Sequence, residues 1–368
     1  MTGSPERPIN TNAEVTPELR KRIVDLMQTP VWRTMEYLNT PASNVEFITV
    51  ERDLPEPHEA EEIRRQVWIQ KLEERRSVLE KSNPNSFYWI HEDRQSNNLA
   101  LFEQTQEGEE KRKMWDGTTI TLAQKGVLQQ GEKTIIPVYP IQYTEWIACY
   151  NPKFTKAYQN ARLPLPYAGI GISVLLETTD SFFPLTRRGI ETPVYPGRLY
   201  SPGGGPKPEE SSAQAVLAEV LEETGLGEKV HFDSQNLTML ALVSDANFAG
   251  SAHARPELVA YMPVDINFRT VEEIQHLQSI KKGQKQEDVW GVVPITTFIP
   301  NLKRAIIYDG FQMCPPTEAG LAHAALYKIQ KMSGLEDATN QMKSTLARLQ
   351  LFERSEYTPP ILRLPLSL

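Results

Sequence analysis

A triglycine loop, Gly203-Gly204-Gly205, running into a glutamate-rich helix constrains this chain more than any other stretch. From Ser212 to Thr224 the apolar residues Ala213, Val216, Leu217 and Val220 recur at helical spacing, and Gly225 follows as a stop. At about 100° per residue these four face one way, which predicts an amphipathic helix lying on a core. Glu222 points the opposite way. Glu219 and Glu223 lie one turn apart on the flank between core and solvent.

Carboxylates in the last two turns of a helix are electrostatically awkward. The C-terminal end is the negative end of the helix dipole, so each acid there costs about 0.3–1 kcal/mol. Glu219 and Glu223 add like-charge repulsion at i,i+4. A bound cation would restore the balance. Mg2+ suits such a place: it prefers carboxylate and carbonyl oxygen and keeps waters and substrate phosphate oxygens in its shell. Glycine lets backbone approach a ligand closely, so a carbonyl of the triglycine loop is a further candidate ligand. The competing reading is a solvated acidic helix, since glutamate is a good helix former.

The rest of the chain reads as mixed α and β. Thr16-Pro17-Glu18 starts a helix carrying Leu19, Ile23 and Leu26. Val45 to Val50 is β-branched and aromatic, hence a strand. A long helix is expected from Pro57 to Lys81, with Ile63, Val67, Trp68 and Leu72 as its apolar stripe. Further strands are expected at Phe87–Ile90, Leu99–Phe102 and Ile135–Tyr139, with a turn at Asp116-Gly117. Beyond Tyr143, strands are expected at Ala168–Leu176, Leu237–Val243, Leu258–Met262 and Val289–Val293. Phe182–Arg188 is expected to pair with Ala168–Leu176 as a hairpin across Thr179-Asp180. A helix after Pro315-Pro316-Thr317 carries Leu321, Ala325 and Ile329, and a last one carries Met342, Leu346, Leu349 and Phe352.

Composition narrows the partners. The chain has 368 residues, 40% of them apolar, and a net charge of −8, which disfavours a nucleic-acid scaffold needing a basic face. With only Cys149 and Cys314, neither a disulfide framework nor a zinc cluster is expected. The start, Met-Thr-Gly-Ser-Pro-Glu-Arg-Pro, lacks the apolar core of a signal peptide. No apolar run approaches the ~20 residues that span a bilayer. These features set the expectation of a cytoplasmic protein without membrane contact.

The spacing around the glutamate helix is more specific than its composition. Gly204 is followed after five residues by Glu210, and after seven more come Ala218-Glu219, Glu222-Glu223 and Gly225-Leu226. This resembles the Nudix box, Gly-x5-Glu-x7-Arg-Glu-U-x-Glu-Glu-x-Gly-U, with U a bulky apolar residue. It matches at every defined position but one, where Ala218 replaces the arginine. The resemblance implies a mixed sheet sandwiched between helices, preceded here by a smaller α+β region. It also implies Mg2+-dependent (or Mn2+-dependent) cleavage of a nucleoside diphosphate linked to another group. By this carry-over Glu219 and Glu223 bind metal, Glu222 binds metal or acts as base, Gly204 offers its carbonyl and Glu210 supports them. The missing arginine, which in the family orients a catalytic glutamate, opens the reading of a nucleotide-binding domain without catalysis.

Other segments in order, from Tyr143 through Gly169-Ile170-Gly171, Leu185-Thr186-Arg187-Arg188, Pro202 to Pro208, Asn247 and Arg255-Pro256-Glu257-Leu258 to Met313-Cys314-Pro315, are similar to the atypical branch that hydrolyses UDP-glucose and UDP-galactose. The resemblance covers about Tyr143 to Ala325. It implies phosphate contacts from Arg187 and Arg188, a substrate contact from Asn247, and a further ligand or base in Glu257. The alternative substrates are ADP-ribose or NADH, with Tyr195, Tyr200, Phe248 and Tyr261 as candidate base clamps. The expected organisation is an N-terminal α+β region over 1–142, a hydrolase domain over 143–335 and a helix with tail over 336–368. The oligomeric state is left open.

Overall fold

Helix α1 (Pro17–Leu26) begins where the Thr16 hydroxyl accepts the Leu19 N–H at 3.2 Å, with proline at the first helical position. The computed structural model describes residues 16–343 except 29–31, 53, 94–97, 105–107, 109, 115, 181, 189–194, 196, 225, 227–233, 246–254, 272, 275–288 and 293–312. The elements that follow are β1 (Trp32–Pro41), β2 (Val45–Thr49), α2 (His58–Ser82), β3 (Phe87–Asp93), β4 (Asn98–Gln104), β5 (Glu110–Met114), β6 (Thr118–Leu122), β7 (Leu128–Gln130) and β8 (Lys133–Gln142). Then come α3 (Tyr143–Ala148), α4 (Pro152–Asn160), β9 (Gly171–Glu177), β10 (Phe183–Arg187), β11 (Leu199–Tyr200), β12 (Gly203–Gly204), α5 (Ser212–Thr224), β13 (Thr238–Asp245), β14 (Pro256–Pro263), β15 (Val289–Val292) and α6 (Pro315–Ser333).

The central sheet has the order β1-β13-β14-β9-β12. It is mixed: β9 and β14 run parallel, and the other neighbours are antiparallel. Strand β9 is buried at all seven positions, as a strand covered on both faces must be. On one face Ile172, Val174, Leu258, Ala260 and Met262 pack against Val216 and Val220 of α5. On the other, Leu175, Val259 and Ala241 pack against Ala322, Leu326 and Ile329 of α6. The sheet is thus sandwiched between helices.

The expected hairpin between Ala168–Leu176 and Phe182–Arg188 does not form. Thr178 does turn the chain, its N–H donating to the Phe182 carbonyl at 3.0 Å. But β14 and β12 already occupy both edges of β9. Strand β10 therefore leaves the sheet and pairs with β11 and β15 in a second, three-stranded one.

Strand β1 was not anticipated, and it lies in the central sheet, antiparallel to β13, with Trp32 opposite Asp245. The sheet therefore takes one strand from ahead of residue 143, the expected boundary. His323 of α6 fastens it. The ring is buried, lies within bonding distance of the Thr34 hydroxyl (2.9 Å) and stacks on Tyr37. Burial lowers its pKa to about 3, so the imidazole is neutral across the physiological range.

The remaining N-terminal elements form the sheets β2-β8-β6 and β3-β4-β5. The expected stripe of α2 holds: Trp68 and Leu72 are buried with Tyr88 and Leu101, and Val67 is packed beside them. The Trp68 indole N–H donates to the Leu99 carbonyl at 2.8 Å. Trp68→Ala is expected to cost about 3–5 kcal/mol, read as a lower urea midpoint, because it leaves both a cavity and an orphaned carbonyl. No helix among the described residues is long and apolar enough to cross a membrane. Met342 is buried, whereas Leu346, Leu349 and Phe352 lie outside the described residues.

Candidate active site

Helix α5 starts on a capping box. The Gln214 N–H donates to the Ser211 hydroxyl at 3.2 Å, and the Ser211 N–H donates back to Gln214 Oε1 at 3.0 Å. The Ser212 hydroxyl donates to the Val45 carbonyl at 2.7 Å, tying the helix to β2. Ala215, Val216 and Val220 are buried, with Ala213 and Leu217 packed partly against the same core. The expected wheel holds for Glu222, which is exposed, and for Glu219, which is half-buried on the flank; Glu223, expected on that flank, is exposed instead.

The flank meets the glycine loop. A Cβ on Gly204 would lie 2.2 Å from Glu219 Oε1, so the carboxylate occupies the space that a side chain would need. Gly203 donates its N–H to Glu223 Oε2 at 2.9 Å. Burial, then the charges of Glu222 and Glu210, push the Glu219 pKa up to about 7, with Lys207 opposing. Among the described residues no arginine offsets them, and position 218 is alanine. Glu210 accepts the Lys207 N–H at 3.1 Å and pairs with the Lys207 ammonium at 3.3 Å, which fixes the turn leading into the helix.

Among the described residues, no three acidic, imidazole or thiol groups converge into a ready metal cage. The donor set still fits a hard cation of the Mg2+ kind, which is held by one or two carboxylates together with substrate phosphates and water. Glu219, half-buried, proton-hungry and pressed on a backbone without side chain, is the group here that gains most from a neighbouring cation.

A second wall lies one strand away. Ile172 of β9 stands opposite Gly204 on one side and Leu258 on the other, and Gly171 stands opposite Glu257. Glu257 is fully buried. The Tyr200 hydroxyl donates to its Oε1 at 2.9 Å, and the Arg255 guanidinium approaches Oε2 at 3.6 Å. Tyr200 links the walls, since the charges of both Glu257 and Glu223 act on its hydroxyl. The Arg188 guanidinium lies 4.7 Å over the Tyr200 ring. Tyr195, held at φ 53, donates its hydroxyl to Asp245, and Arg198 lies 5.1 Å over its ring. Burial raises the Asp245 pKa to about 6, against the Tyr195 hydrogen bond and Arg255, which favour the charged form.

The candidate residues thus fall into three sets. Gly204, Glu219 and Glu223 come together, with Glu222 beside them on the solvent side and Glu210 behind. Glu257 and Arg188 share the second wall through Tyr200. The Arg187 side chain, Asn247 and Phe248 lie outside the described residues. Of the proposed base clamps, Tyr200 is bonded to Glu257, and Tyr261 is turned away to Glu177 beneath α6. Cys314 is buried, its thiol pushed up to about 12, so it packs rather than reacts. Arg255 was quoted only within its segment and given no role, and Asp245 was not singled out from sequence, since nothing local distinguishes either from an ordinary residue at a strand end.

No protein-family model and no curated protein matches the chain. Solved structures that it is similar to include a Nudix hydrolase from M. Smegmatis, at 14% identity over 47% of this chain and 94% of that one, TM-score 0.25. An ADP compounds hydrolase shares 14% identity over 68% of this chain and 94% of that one, TM-score 0.29. A MutT protein from Methanosarcina mazei Go1 shares 16% identity over 50% and 95%, TM-score 0.21. Likenesses this low assign nothing; the fold rests on the strand pairing described above and the site on its own residues.

Proposed function

We propose that this chain is a Mg2+-dependent Nudix hydrolase that cleaves the phosphoanhydride of a nucleoside diphosphate joined to a second group. We take the substrate to be a UDP-sugar, split to UMP and sugar 1-phosphate, on the order of the segments from Tyr143 to Ala325; ADP-ribose or NADH is the alternative. The observation that carries the reading is the Glu219 carboxylate lodged against Gly204, with Glu223 bonded to the adjacent Gly203. That is where the box spacing puts metal ligands, and it gives the otherwise misplaced acids at the end of α5 a purpose. Mn2+ would serve in place of Mg2+ with the same oxygen donors.

Glu219, Glu223, Glu222 and the Gly204 carbonyl would hold the metal. Bound there, it would supply neutralising charge for the diphosphate and Lewis acidity toward water. One of the glutamates takes the proton from the attacking water. Arg188 donates its guanidinium edge to a phosphate oxygen, a contact at which arginine is favoured by its paired N–H geometry. Arg187 and Asn247 complete the substrate set by their place in the sequence. Glu257 faces the same space from β14 as a further ligand or base.

The test is a panel of UDP-sugars, ADP-ribose, NADH and other nucleoside diphosphate derivatives with Mg2+. The expected result is UMP released fastest from a UDP-hexose. Faster release of AMP from ADP-ribose would transfer the reading to that substrate. Mg2+-dependent binding without release of any mononucleotide would make the chain a nucleotide-binding domain.

A further inference from the structure

Arg255 has no role read from the sequence, yet its surroundings are unusual. The residue is 3% exposed, and its Nε and Nη1 have no hydrogen-bond partner among the described residues. The same holds for Nε of Arg188. Buried charged N–H groups without acceptors are unfavourable, so their persistence marks a ligand's place. Each guanidinium is backed by a ring: Arg255 lies 5.6 Å over Trp146 and Arg188 4.7 Å over Tyr200. A ring covers the flat face of the guanidinium and leaves its N–H edge for an anion.

Two acceptors in the same cluster are also unused. Asp245 is bonded to Tyr195 through Oδ2, and its buried Oδ1 has no hydrogen-bond partner among the described residues. Glu257 is bonded to Tyr200 through Oε1, and its Oε2 has no hydrogen bond, with Arg255 at 3.6 Å. These donors and acceptors lie close together and do not satisfy each other. They complement a molecule that offers anionic oxygens to the arginines and hydroxyl groups to the carboxylates. Tyr143, Trp146, Arg188 and Tyr195 are only partly buried and give the cluster its rim.

We propose that Arg255 and Arg188, together with Asp245, form a subsite for a sugar phosphate. The two guanidinium edges bind the phosphoryl oxygens, and Asp245 Oδ1 accepts a sugar hydroxyl. The assignment rests on the hydrolase reading, because a sugar phosphate is the half of the substrate that carries both chemistries.

Calorimetric titration of the intact protein without metal tests it, with a hexose 1-phosphate, the free hexose and inorganic phosphate as probes. The hexose phosphate is expected to bind about tenfold tighter than phosphate, because it alone engages both arginines and Asp245. Arg255→Lys and Arg188→Lys are expected to weaken both phosphate-bearing probes by about tenfold, since lysine keeps the charge and loses the planar edge. Asp245→Asn is expected to weaken the hexose phosphate and leave inorganic phosphate unchanged. Circular dichroism confirms that each variant is folded, and the partly exposed Arg188 and Asp245→Asn carry the test if Arg255→Lys is not. Equal binding of the hexose phosphate and phosphate, or folded variants with unchanged affinities, would show a hydrated structural network and overturn the subsite. Turnover of UDP-sugars alongside that result would leave the hydrolase standing. Sugar phosphate binding with the expected losses but no turnover would remove the hydrolase and keep the subsite.

Discussion

Glu219→Gln is expected to lower kcat by about 10³-fold, the scale of losing a group that acts on the reacting charge. The same change is expected to stabilise the metal-free protein above pH 7. The sign follows from the raised pKa. Glu219 goes from the ordinary glutamate value of 4.5 to about 7 in the folded chain. Between these values the native state binds more protons than the unfolded one, so stability falls as pH rises through that window. At pH 8 the native protein carries a charged, half-buried carboxylate beside Glu222 and Glu210, a penalty of about 2 kcal/mol once solvent screening of the part-exposed group is allowed for. Glutamine removes it. Thermal melts from pH 4 to 8 without metal should show a decline in wild type over that window and a smaller one in the variant. Mg2+ should raise the wild-type Tm most at pH 8, since it replaces the proton, and should act less on the variant. A wild-type Tm indifferent to Mg2+ at every pH would remove Glu219 from the metal site.

The two neighbouring glycines are expected to fail in different ways. A Cβ on Gly203 would sit 2.0 Å from the Ile172 carbonyl oxygen and 2.8 Å from Ser173 Cα, both backbone atoms of the central strand. Gly203→Ala must push β12 off β9, and a loss of about 3 kcal/mol or more is expected in urea unfolding. A Cβ on Gly204 meets the flexible end of Glu219 instead. Gly204→Ala is therefore expected to keep stability within about 1 kcal/mol, because the carboxylate swings aside, and to lose most of the activity with it. Equal stability losses in both variants would show that Glu219 is fixed by something other than the glycine it touches.

Helix α5 was legible because its signals are local: apolar spacing, a following glycine and acids set against the dipole all lie within a few turns. Its bounds, Ser212 to Thr224, came out as read, and only the capping box that Ser211 and Gln214 form went unremarked. The long helix α2 and the stripe through Trp68 were legible for the same reason. Strand β1 was not. Its residues Trp32 to Pro41 alternate only loosely, and a partner on β13 leaves no mark in the neighbouring sequence. The mistaken hairpin has the converse cause: proximity in sequence favoured β10 as the partner of β9, and long-range pairing with β14 took the edge. Within the site, Glu257 and Arg188 were named from sequence, but Arg255 and Asp245 emerge only where strand ends, a β10 neighbour and the aromatic face of α3 meet.

The pairing of Trp32–Pro41 with Thr238–Asp245 also sets an order of events during synthesis. The first strand leaves the ribosome early, and its ladder partner leaves only after all of the β2 to α5 segment has been made. Until then β1 is an edge with unmet backbone groups, the kind of surface on which nascent chains stick to one another. The exposed Arg33 and the half-exposed Glu36 put charge on it during the wait. His323, which fastens the same strand, arrives later still. Strand β1 is thus made well before the strand and the histidine that secure it, and it depends on those later parts of the chain for shelter.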